Sequence, residues 1–91
     1  MATDSERVWL VERTYSDDEQ NLVILTYATA DGSNYHRKER ALTSGTDVRE
    51  TPVALEVEPN ALGAVLEEAE REQYAAEAQR VRERHEPDDV L

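Results

Sequence analysis

Ninety-one residues allow one domain with a marginal core, and the 38% of the chain that is hydrophobic contains no Phe, one Met and one Trp. Acidic residues outnumber basic ones 21 to 10, a formal net charge of −11, and the absence of Cys excludes disulfides, thiolate nucleophiles and Cys-ligated zinc. No run approaches the roughly 20 apolar residues that span a bilayer, so a single domain over 1–91, no membrane partner and, by default, a cytoplasmic location are expected.

Residues 1–6 read as a polar leader. "RVWLVERTY" (Arg7 to Tyr15) predicts a first strand from its β-branched and aromatic residues. "SDDEQN" is a turn or short loop, and Leu22 to Thr29, "LVILTYAT", is a second strand. The Asp31-Gly32 pair is a hairpin signal, since Gly tolerates the positive φ of a tight turn. A third strand is expected from about Tyr35 to Leu42, then a loop at 43–47. Val53 to Val57 makes a fourth strand, with Val53, Leu55 and Val57 on one face. From Pro59 to Pro87 the periodicity turns helical, with Pro59 suited to a first helical turn. An acidic tail, 86–91, closes the chain. The expected fold class is α+β: a four-stranded antiparallel sheet followed by one long C-terminal helix, ββββα.

Two features of this pattern point to a homodimer. Strands one and two are apolar on both faces, with Val8 and Leu10 opposed to Trp9 and Val11, whereas one helix covers only one face. The helix, about 25 residues and nearly 40 Å long, also changes its apolar side. Leu62, Val65, Leu66 and Ala69 form one stripe, and Tyr74, Ala78 and Val81 a second, rotated one. A dimer interface is therefore expected at Trp9, Val11, Tyr74, Ala78 and Val81.

Signs of catalysis are weak. His36 and His85 lie on different elements, no EF-hand pattern occurs, and Gly32, Gly45 and Gly63 build no phosphate loop. Pairs such as Asp17-Asp18 and Glu67-Glu68 occur in a chain full of acids, without the desolvation that tunes one carboxyl against another. The expectation is a non-enzymatic protein with no catalytic residue, no cofactor and no metal.

The basic run "HRKER" stands out against this acidity. At period two, His36, Lys38 and Arg40 share one face of the strand, while Tyr35, Arg37 and Glu39 share the other. One reading is an edge strand whose charges discourage aggregation and pair with carboxylates across the ladder. The other is a contact for single-stranded nucleic acid or another anion through Tyr35, His36, Arg37, Lys38 and Arg40, with Tyr35, Tyr27 or Trp9 offering a stacking surface.

Two resemblances bear on the choice. Acidity combined with a single lysine, Lys38, resembles small uncharacterised haloarchaeal proteins. Their carboxylate surface implies a cytoplasm of molar salt, where the Debye length is about 3 Å. The order "RVWLVERTY…LVILTYATADG…HRKERAL…VALEVEPNALGAVLEE" resembles the Whirly and transcriptional-coactivator class of single-stranded DNA binders, which implies a dimer and a nucleic-acid partner. Together these readings give a halophile-adapted, dimeric interaction or regulatory module, with single-stranded nucleic-acid binding through 36–40 as the alternative.

Overall fold

The β-branched and aromatic runs form strands where their alternation predicts them. The computed structural model describes residues 5–16, 22–41 and 51–90. The strands are β1 (Glu6–Ser16), β2 (Leu22–Ala28), β3 (Asn34–Ala41), β4 (Ala54–Val57) and β5 (Gly63–Ala64); helix α1 is Glu68–Arg84. The sheet runs β4-β1-β2-β3-β5, and every pairing is antiparallel. The fold is thus α+β with a C-terminal helix as expected, but the sheet has five strands rather than four. Of the expected leader (1–6) and turn (16–21), residues 1–4 and 17–21 lie outside the described residues, as does the whole loop at 43–47, while Glu6 and Ser16 belong to β1.

The β2–β3 turn is built by Asp31 and Gly32. Asp31 accepts hydrogen bonds from the Thr29 hydroxyl (2.7 Å), the Ser33 hydroxyl (2.8 Å) and the Ser33 amide (3.1 Å). Those bonds, the Thr29 hydroxyl first, hold its carboxyl below the ordinary range. Gly32 takes φ +75°, and its amide donates to the Thr29 carbonyl at 2.9 Å.

The missed strand lies in the segment read as the start of the helix. Pro59 does open a helical turn, but only the 3-10 turn Pro59–Ala61. Gly63 and Ala64 then pair with Tyr35 and Asn34. Gly63 lets the strands approach closely here, since a Cβ would lie 2.7 Å from the Tyr35 ring. Helix α1 begins only at Glu68, and the Arg71 guanidinium donates back to the carbonyls of Val65 (2.8 Å) and Leu66 (3.3 Å). The supposed stripe of Leu62, Val65, Leu66 and Ala69 is therefore no helical face: Val65 is buried, while Leu66 is 83% exposed.

Shortening the helix removes its overhang. Seventeen residues make about 25 Å, less than the roughly 36 Å of the eleven-residue β1. Helix α1 packs chiefly on β1. Tyr74 and Ala78 are buried, and Tyr74 clusters with Ala28 and Val65, flanked by Val11 and Tyr35.

Both sheet faces are covered within one chain. The face opposite α1 gathers Val8, Leu10, Val23, Leu25 and Tyr27, all buried, with Leu55, Val57 and Leu62 packed against them. Because β4 and β5 occupy opposite edges, the link between them must cross the sheet, and Leu62 is its contact with this cluster. The Tyr27 hydroxyl donates to the Pro52 carbonyl at 2.8 Å. Residues 86–90 of the expected acidic tail lie against the start of β4: Val90 bridges Pro52, and the Val53 amide donates to the Asp89 carbonyl at 3.1 Å.

Candidate functional site

Strand β3 carries the basic run, and its ladder fixes where each side chain goes. Opposite it on β2, Tyr27 meets His36, Thr26 meets Arg37, Leu25 meets Lys38 and Ile24 meets Glu39. No cation of this strand therefore faces a carboxylate across the ladder. Among the described residues the ion pairs are Arg7–Glu56, Arg80–Glu77 and His85–Asp89, all elsewhere. Arg37 and Lys38 are exposed. Arg40 lies in β3 opposite Val23, and its side chain is outside the described residues.

The two faces of β3 differ. On the side away from α1, the partly buried His36 is engaged: its Nδ1 donates to the Ala61 carbonyl at 3.2 Å, tying the 3-10 turn to the strand. On the α1 side, the Arg37 guanidinium lies over the Tyr35 ring, 5.5 Å from its centroid. Beyond that pair opens a cavity of about 230 Å³, lined by Tyr35, Arg37, Ala64, Val65, Leu66, Glu67, Glu70 and Tyr74. Burial, then the charges of Glu70 and Glu12, push the Tyr74 phenol above its ordinary pKa. Its hydroxyl donates to Glu70 at 3.4 Å.

Only part of the sequence-predicted site survives as surface. Trp9 and Tyr27, two of the three candidate stacking residues, are buried, leaving Tyr35 with Arg37 on its ring. Four of the five residues expected at a dimer interface, Trp9, Val11, Tyr74 and Ala78, are buried or packed within one chain. Trp9, Tyr74 and Ala78 are buried and Val11 and Val81 partly so. Leu66 and Tyr74 were not foreseen as neighbours of the basic strand. Gly63 was the available signal, because a glycine inside a helix costs about 1 kcal/mol and argues for something else there.

A larger recess of about 720 Å³ opens at one end of the sheet, lined in part by Arg7, Trp9, Asp31, Asn34 and Arg82. Two of its four charged residues, Arg7 and Asp31, are committed, while Glu6 and Arg82 also line it. Arg7 bonds Glu56 at 2.6 Å, which with Ser5 holds the Glu56 carboxyl below the ordinary range, and Asp31 is held by Thr29 and Ser33. No three His, Cys, Asp or Glu side chains among the described residues could hold a metal ion, and no described helix is long and apolar enough to cross a membrane.

The chain belongs to a family of unknown function, DUF7967, whose model matches residues 2–91. No curated protein and no solved structure matches it.

Proposed function

We propose that this protein is a non-enzymatic interaction module that makes its contact through the basic strand β3. One observation carries the reading. In a chain with 21 acidic residues, the exposed Arg37 and Lys38 have no carboxylate partner among the described residues. Cations that served only to balance the surface would find carboxylates across the ladder, yet these stand beside Thr26 and Leu25. Trp9, Tyr74 and Ala78 contribute packing rather than contact in this reading, because they are already buried.

Single-stranded nucleic acid is the second reading, favoured by the stacked Arg37–Tyr35 pair next to Lys38. Of the three alternative stacking residues, Tyr35 alone is partly exposed, since Trp9 and Tyr27 are buried. Both readings are tested by changing Arg37, Lys38 and Arg40 together to Gln. The fold should persist, read by thermal denaturation, while binding to acidic peptides or to oligothymidylate, titrated at low and molar KCl, should fall at least roughly tenfold. Binding that survives the triple change would refute the assignment of β3.

A further inference from the structure

We propose that the β3 edge from Arg37 onward takes an extended acidic peptide as an added strand, with one apolar side chain of that peptide held between Tyr35, Leu66 and Tyr74. This rests on β3 being the contact strand and names what it contacts.

The main chain supplies the first half of the site. The Asn34 carbonyl accepts the Thr29 amide of the β2 side, while the Ser33 carbonyl accepts the Val65 amide of the β5 side, each at 3.0 Å. Antiparallel ladders alternate, so Tyr35, Arg37 and Glu39 turn their N–H and C=O groups away from β2. Strand β5 meets β3 only at Asn34 and Tyr35, after which the Ala61 carbonyl goes to the His36 ring instead. Among the described residues nothing pairs with the outward main chain of Arg37 and Glu39. Such a row is a template for another strand; this stretch has no Pro, Gly or bulge, and its cations repel a like-charged strand without repelling an acidic one.

Charge decides the occupant. Arg37, Lys38 and Arg40 surround a single carboxylate, Glu39. A second copy of this chain adding along the same edge would bring net positive charge against net positive charge, which cross-strand pairing disfavours. A strand bearing Asp or Glu matches it. The cavity of about 230 Å³ beside Arg37 adds a separate preference. It has room for one aliphatic or aromatic side chain, the 83% exposed Leu66 is part of its lining, and Glu67 and Glu70, which also line it, disfavour a carboxylate inside. The recognised segment is therefore an apolar residue adjoining an acidic extended run.

The test uses the full chain and two peptides of alternating Val and Asp with Leu at both ends, one N-methylated on alternate amides. N-methylation removes ladder donors and leaves charge intact. The expected result is binding of the plain peptide, amide shifts at Arg37 and Glu39, and roughly tenfold weaker binding both of the methylated peptide and by Leu66→Ser. Equal binding of the two peptides, or no effect of Leu66→Ser, would overturn strand addition; if the triple Gln variant still lost binding, β3 would stand as a charge contact. Oligothymidylate binding without peptide binding would likewise overturn this inference and leave β3 as the contact. A mass of two chains that falls to one with the triple Gln variant would assign the edge to self-pairing and also overturn it.

Discussion

Replacing Gly32 with Ala tests the contact that seats α1 on the sheet and so builds the wall of the β3 cavity. At φ +75° an L-residue is strained by about 1–2 kcal/mol. The added Cβ would also overlap the Arg71 carbonyl oxygen and lie 2.8 Å from the Ala75 nitrogen. Both are helix backbone atoms, so relief requires moving α1, which loosens the packing of the buried Tyr74 and Ala78; overpacking of this kind costs about 1–3 kcal/mol. The sum, roughly 2–5 kcal/mol, is a large share of the ~5–15 kcal/mol that stabilises a small domain. It corresponds to a fall in Tm of roughly 10–30 °C.

Gly63→Ala is the control. Its Cβ also falls within 2.7 Å of another atom, but of the Tyr35 ring, a side chain that can swing aside, and its φ is not positive. The expected cost is about 1 kcal/mol. Thermal and urea denaturation of both variants decides the matter. A loss for Gly32→Ala below about 1 kcal/mol, or no greater than that for Gly63→Ala, would mean that the hairpin does not press on the helix backbone.

Stability should rise from about 0.1 to 3 M KCl as carboxylate repulsion is screened, since Glu67, Glu68, Glu70 and Glu72 crowd the start of α1 while Arg71 is spent on main-chain carbonyls; a flat or falling Tm would count against halophilic adaptation. Asp31 has a lowered folded pKa, so its contribution is present above the unfolded pKa and lost as pH falls through the folded one. Asp31→Ala should therefore cost about 1 kcal/mol at neutral pH and flatten the acid limb of the stability curve; an unchanged limb would show that the turn does not depend on the ionised group. Light scattering at micromolar concentration should give the mass of one chain, and Tyr74→Asp should destabilise the chain by about 3–5 kcal/mol. A dimer mass abolished by a well-folded Tyr74→Asp variant would restore the interface expected from the sequence.

Four of the strands were legible from residue type and the punctuation between them, and the Asp31-Gly32 turn because its chemistry is local. The coverage of the faces was not. Alternation shows that Val8 and Leu10 oppose Trp9 and Val11, but it cannot say what crosses over them. A register shift between Leu10 and Glu12 also breaks the alternation. The cover for the Val8 face comes partly from Leu62, remote in sequence and brought there because β4 and β5 lie on opposite edges. Strand order is a tertiary property, and nothing in "VEPNALGAVLEE" encodes it locally.

That same segment explains why half the candidate site was missed. The spacing of Leu62, Val65, Leu66 and Ala69 matches a helix, yet Leu62 and Val65 serve opposite sheet faces and Leu66 serves neither. A period of 3.6 is weak evidence over so few residues when a glycine interrupts it. The basic strand was visible in composition, but its meaning depends on pairing. Had Glu or Asp stood on β2 opposite Arg37 and Lys38, the run would be a charge-balanced ladder with nothing to offer a partner. Thr26 and Leu25 stand there instead, so Arg37 and Lys38 have no carboxylate directly opposite them on β2.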